Sequence, residues 1–191
     1  MTRADGLQAS TYGRGTSAFE GSGLEGRQAD SVAVLARAVK VNAGLWANDL
    51  ILRTGANEVD ADTCEARRIE GRGDIPEFAL DISAVGGMYA GRIFMVGTEK
   101  GLGVNLAGTL SATQAVSLDA AGNLKVTGTL YSGGSADLAA ASVDNERIIA
   151  AGEDLSVTAE SGIRNQSAMA RASTKRAVLR RAARCFLGQR P

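Results

Sequence analysis

Residues 85–110 read VGGMYAGRIFMVGTEKGLGVNLAGTL. Glycine returns every few residues, yet between the glycines sit runs such as Arg92-Ile93-Phe94-Met95-Val96 that belong in a packed core. A chain that must turn this often and still bury apolar surface fits short strands joined at tight corners. From Ala90 onward the pairs Ile93/Met95, Val116/Leu118, Ala136/Leu138 and Leu155/Val157 each have the i, i+2 spacing of a strand with one face inward, at offsets of 23, 20 and 19 residues. A second series, Leu110, Leu130, Ile149 and Met169, advances by 20, 19 and 20 residues, and Gly-Thr-Leu recurs at 108–110 and 128–130.

Two strand bursts in a period near 20 are too short for most helical repeats and suit one coil of a parallel β-helix, each coil stacked about 4.8 Å above the last. Glycines then mark corners, where positive φ is expected, and the apolar runs face a shared interior. A looser series, Asn105, Asn123, Asn145 and Asn165, suggests a side-chain ladder at one corner. The competing architecture is an antiparallel sandwich, but its strands come at less regular intervals and rarely repeat a tripeptide in register.

Upstream, SVAVLARAVKV (31–41) alternates as a strand and ends at an Asn42-Ala43-Gly44 turn. DADTCEARRIEGRGDIPE (60–77) is charged and short of apolar residues, and reads as an exposed loop that leaves the solenoid and returns at Phe78. The first 18 residues are polar and expected to be poorly ordered. The coils should occupy 19–166. Residues 167–191 form a basic tail, in which Met169–Leu187 is rich in the helix formers Ala, Arg and Leu with Gly188 as a stop, so an amphipathic helix is expected.

Composition narrows the function. The formal net charge is zero, but all 21 acidic residues precede Ser161, whereas eight of the 21 basic ones follow Glu160. The acidic body should not bind nucleic acid, while the tail suits a polyanion or a membrane surface. The chain has no histidine, which removes histidine-based nucleophile systems, histidine general bases and the usual zinc sites. Two cysteines, Cys64 and Cys185, make no disulfide framework. No segment has 18 consecutive apolar residues, and the N-terminus lacks the apolar core of a secretory signal.

Individual motifs carry little chemistry. Gly21-Ser22-Gly23-Leu24-Glu25-Gly26 fits G-x-G-x-x-G, with Asp49 beyond it, but no buried strand precedes it to aim a helix at a pyrophosphate. Gly133-Gly134-Ser135-Ala136-Asp137-Leu138 has part of a calcium nonapeptide and occurs once. Asp60 and Asp62 are a candidate carboxylate pair, and Trp46, the single tryptophan, is either a sugar platform or semi-buried packing. Arg72-Gly73-Asp74 places a guanidinium and a carboxylate either side of a flexible turn in the charged loop, as a cell-adhesion ligand would. No catalytic, cofactor-binding or metal-binding residues are assigned.

Three segments together carry a resemblance: VNAGLWANDLILRTGANEVD (41–60), ALDISAVGGMYAGRIFMVGTEKGLGVNLAGTL (79–110), and the Gly-Asn-Leu and Gly-Thr-Leu coil that follows. They resemble large bacterial two-partner-secretion exoproteins, the filamentous haemagglutinins and contact-dependent growth-inhibition toxins. The match covers roughly Phe19 to Gln166, in the region just after, or at the end of, the N-terminal secretion domain. The resemblance implies an all-β, right-handed parallel β-helix. It also implies a secreted or cell-surface parent that uses an outer-membrane transporter and contacts host or neighbouring cells. Family members begin with a signal peptide and a secretion domain bearing Asn-Pro-Asn motifs, which this chain does not show. The expectation is therefore a non-enzymatic, adhesive shaft segment, truncated from its parent. The alternatives are a carbohydrate-active β-helix enzyme using acidic residues and a polyanion-binding protein acting through its tail.

Overall fold

A computed structural model describes residues 8–10, 15–59, 66–69, 75–171 and 178–181. The chain winds through seven coils of a parallel β-solenoid with three sheet faces per coil. Every ladder between coils is parallel, so the sandwich alternative falls.

Interior columns on three faces hold the coils in register. On the first face Leu24, Leu45, Met88, Leu110, Leu130, Ile149 and Met169 stack one above another. On the second, Val34, Leu52, Met95, Leu118, Leu138 and Val157 do the same, two residues after the parallel column Val32, Leu50, Ile93, Val116, Ala136 and Leu155. The third carries Val41, Ile82, Leu106 and Val126. The residues expected to share one interior (Ile93, Met95, Val116, Leu118, Leu138, Leu155 and Val157) are all at most 3% exposed. The strand period of two turns every second side chain inward, and stacking identical faces keeps the core dry along its length.

The corners explain the repeated Gly-Thr-Leu. A Cβ on Gly128 would lie 2.0 Å from the Gly108 carbonyl oxygen, and one on Gly108 would lie 2.1 Å from that of Gly86. Close approach between coils, rather than positive φ, requires glycine there. Among the described residues positive φ occurs only at Gly21, Gly23, Gly55 and Gly101.

Where the charged segment is described, it pairs outside the solenoid sheets. After the strand Gly44–Thr54 the chain forms a small antiparallel pair, Asn57–Val59 with Ala66–Arg68, and re-enters at Phe78–Ile82. Its root is polar: the Arg37 guanidinium pairs with Glu99, whose Oε2 also accepts from the Ala56 N–H at 3.2 Å. Thr98 Oγ1 donates to Thr54 O at 3.1 Å.

Three expectations are corrected. Within the first 18 residues, Gln8–Ser10 and Thr16–Phe19 are strands paired with the coil that follows. The tail continues the solenoid where it is described: Ala168–Arg171 pairs with Ile148–Ala151, and Val178–Arg181 with the strand Leu155–Asn165. The amphipathic helix is absent from those residues, because an open sheet edge offers hydrogen-bond partners that outweigh the local helix preference of Ala, Arg and Leu. The asparagine ladder is also only partial. Asn145 donates to Asn165 at 2.7 Å, but Asn105 donates to Asp81, and Asn123 accepts from Ser142.

Candidate functional site

The outward side of the first face carries an aromatic row. Glu25, Trp46, Tyr89, Ser111 and Tyr131 occupy equivalent positions on successive coils. Trp46 and Tyr89 stack with ring centroids 5.9 Å apart and planes 14° from parallel. Each ring leans back over the glycine two residues before it. A Cβ on Gly44 would lie 2.0 Å from the Trp46 ring, and one on Gly87 2.6 Å from that of Tyr89. Glycine at these two positions lets the rings lie along the strand and cover the bare backbone.

Around this pair the corner between the first and second faces opens into a groove of about 460 Å³. Its rim is polar. Asn48 bridges the corner by donating its amide to the carbonyls of Arg27 and Ala29, both at 2.8 Å. Ser111, Thr113 and Gln114 line the far side, and their side chains find no hydrogen-bond partner among the described residues. Two ion pairs flank the groove. Arg27 donates from Nε and Nη2 to Glu25 at 2.8 and 2.6 Å, and Arg92 grips Asp49 through two hydrogen bonds, that from Nε measuring 2.9 Å. The Arg27 hydrogen bonds push the Glu25 carboxyl down to about 2, and the Arg92 hydrogen bond likewise lowers that of Asp49. Beyond Asp49, Ile51 and the exposed Phe94 line a second, apolar groove of about 440 Å³.

Trp46 therefore points outward, half-buried against Tyr89. Gly21 and Gly23 form the turn into the strand Leu24–Ala36, and no helix follows them to hold a pyrophosphate. Gly133 and Gly134 pack against carbonyls of the coil before, at an ordinary corner. Asp60, Asp62, Cys64, Arg72, Gly73, Asp74 and Cys185 lie outside the described residues. Among the described residues no three acidic or cysteine side chains converge on a point where a metal could sit. Sequence reasoning missed Tyr89, Gln114 and both ion pairs. The signal for the aromatic pair was present, since Gly-Leu-Trp-Ala (44–47) and Gly-Met-Tyr-Ala (87–90) share one pattern.

Two family models match consecutive parts of the chain, the TPS secretion domain over residues 1–126 and the haemagglutinin repeat over 131–177. The chain belongs to the TPS secretion domain family. The resemblance therefore reaches into the secretion domain itself and continues beyond it into the repeat. Among curated relatives, the chain is 42% identical over 134 residues to the tRNA nuclease CdiA of Escherichia coli (strain NC101), covering 70% of this chain and 4% of that protein. It is 39% identical over 158 residues to the 16S rRNA endonuclease CdiA of Enterobacter cloacae, covering 82% of this chain and 5% of that protein. Toxin CdiA of Yersinia pestis is 37% identical over 158 residues, covering 82% of this chain and 4% of that protein. No solved structure matches at comparable significance. The groove is built from residues of the secretion domain, whereas Tyr131 is the first residue of the repeat match.

Proposed function

We propose that this chain is the secretion domain and first shaft coils of a large two-partner exoprotein, exported by an outer-membrane transporter and displayed to host or neighbouring cells. It does so as a non-enzymatic, adhesive structural segment. The observation that carries this reading is the continuity of the solenoid across the boundary between the two family matches. Thr109–Ala112 of the secretion-domain match pairs residue for residue with Thr129–Ser132, which runs into the repeat match at Tyr131, and Leu124, Lys125 and Val126 pair with Val143, Asp144 and Asn145. A secretion domain that ends in an open parallel edge is a template on which each repeat can fold as it emerges, without separate nucleation. On this reading the shaft segment spans 19–166, wound in the right-handed sense implied by the resemblance, and the segment 60–77 stands off it. Arg72, Gly73 and Asp74 lie in that segment, between Ala66–Arg68 and the return at Phe78, where a cell-adhesion tripeptide would be displayed.

The chain, fused to a cleavable export signal and co-expressed with a two-partner transporter from a CdiA-bearing strain, should reach the medium only when the transporter is present. Beads coated with it should adhere to epithelial or bacterial cells. Equal release without the transporter sinks the secretion reading, and beads that adhere no better than albumin-coated ones sink the adhesive one.

A further inference from the structure

We propose that the groove beside Trp46 and Tyr89 is a docking site for a neutral, pyranose-containing glycan. This rests on the surface display proposed above and names the ligand class for one part of it.

Three observations converge on that ligand. The stacked rings present an apolar platform, with Tyr89 38% exposed and Trp46 half-buried. The C–H face of a pyranose packs on such a platform. The groups without partners around it are neutral: the hydroxyls of Ser111 and Thr113, the amide of Gln114, and the Asn48 amide oxygen, whose nitrogen is held by two carbonyls. These can donate to and accept from sugar hydroxyls without a desolvated charge. The charges at the rim cancel in place, Arg27 against Glu25 and Asp49 against Arg92, so among the described residues that line the groove a polyanion finds no free cation.

Size points the same way. A groove of about 460 Å³ suits a small ligand. A protein partner would need roughly 800 Å² on each side. The aromatic row also runs along the solenoid axis, with Tyr131 two coils beyond Tyr89 across Ser111. One coil step is about 4.8 Å, close to the length of one pyranose unit, so a chain lying along the axis meets one row position per sugar.

The single tryptophan makes the test direct, because Trp46 emission reports from inside the site. The full chain is titrated with neutral pentasaccharides built on glucose, galactose, mannose and N-acetylglucosamine, and with heparin as the polyanion. At least one neutral pentasaccharide should change Trp46 emission saturably, with an affinity that 0.5 M salt leaves unchanged. Tyr89→Ala and Gln114→Ala should each weaken it by about fivefold to tenfold. Gln114 is an exposed corner residue, so that variant decides the matter even if Tyr89→Ala folds poorly. Emission unmoved by every pentasaccharide overturns the proposal. So does salt-sensitive binding of heparin alone, or cell adhesion that needs Tyr89 yet survives periodate oxidation of cell-surface glycans, which would indicate a protein partner. Both variants should still be exported through the transporter. Loss of glycan binding with normal export bears on this site alone, whereas loss of export by the unmutated chain bears on the secretion reading.

Discussion

The Arg37 guanidinium and the Glu99 carboxylate, 62 residues apart in sequence, meet in a bidentate pair of 2.7 and 3.0 Å at the root of the segment that leaves the solenoid. Arg37 is 4% and Glu99 16% exposed. Glu99 also holds the Ala56 N–H, and Gly55 donates to the Arg37 carbonyl at 3.0 Å. The pair thus ties the first, second and third coils together where the chain departs. Glu99→Ala takes a bidentate carboxylate from a buried guanidinium and the acceptor from the Ala56 N–H, and should cost about 3 kcal/mol, the low end for such pairs because Glu99 keeps some exposure. The double variant Arg37→Met/Glu99→Leu should recover most of that loss. Urea unfolding measures both. If the single variant also loosens the departing segment, trypsin should cut sooner near Arg67 and Arg68.

Corner glycines make a second test. Gly128→Ala drives a methyl to 2.0 Å from the Gly108 carbonyl oxygen, so the coils must part locally. A loss of about 1–3 kcal/mol is expected in thermal or urea unfolding. Gly162→Ala, where nothing lies within 4 Å, should be neutral or slightly stabilising. Equal effects at the two sites would mean that close coil approach does not govern the glycine choice.

The period was legible because interior columns must repeat wherever coils stack. Leu110, Leu130 and Ile149 are spaced as they are because they sit on one another. The charged segment was legible because it lacks residues able to join a core. The aromatic pair was harder to see: the departing segment interrupts the period between Trp46 and Tyr89, hiding their shared position behind an irregular spacing. The tail misled for another reason. Local propensity says nothing of an edge already in place, and Val178–Arg181 takes its conformation from the strand Leu155–Asn165. Ion pairs such as Asp49 with Arg92 join residues one coil apart, which only the register reveals.

The Glu25 carboxyl gives a pH test. Its hydrogen bonds from Arg27 hold it at about 2 in the folded chain, below the ordinary range it regains on unfolding. A depressed folded value contributes stability that is present above the unfolded value and fades as pH falls from about 4.5 towards 2. Both side chains are well exposed, so the effect on global unfolding should be slight. The direct measurement is a carboxyl carbon NMR titration. Glu25 should stay charged to about pH 2, and Arg27→Gln should return it to the ordinary range. An unchanged midpoint in that variant would mean that Arg27 is not the cause.

Asn145 offers the sharpest test of how one coil is fastened to the next. On the third face the column Val41, Ile82, Leu106, Val126 is apolar, then changes to Asn145 and Asn165 inside the haemagglutinin-repeat match. Asn145 is fully buried yet fully used. Its amide nitrogen reaches Asn165 Oδ1 at 2.7 Å and the carbonyls of Arg147 and Ala168 at 3.3 Å, and its oxygen accepts from the Arg147 N–H at 3.3 Å. The side chain thus supplies corner hydrogen bonds that the backbone cannot make for itself, and it reaches into the next coil. Asn145→Ala orphans the Arg147 N–H and unties Asn165, so a loss of about 1–3 kcal/mol is expected. Asn105→Ala removes only a half-buried bond to Asp81 and should cost about 1 kcal/mol or less. The larger loss should be accompanied by faster amide hydrogen exchange in Ala168–Arg171, the strand that Asn145 helps to hold. Equal losses for the two variants, with exchange unchanged in that strand, would show that the buried amide is not what fastens one coil to the next.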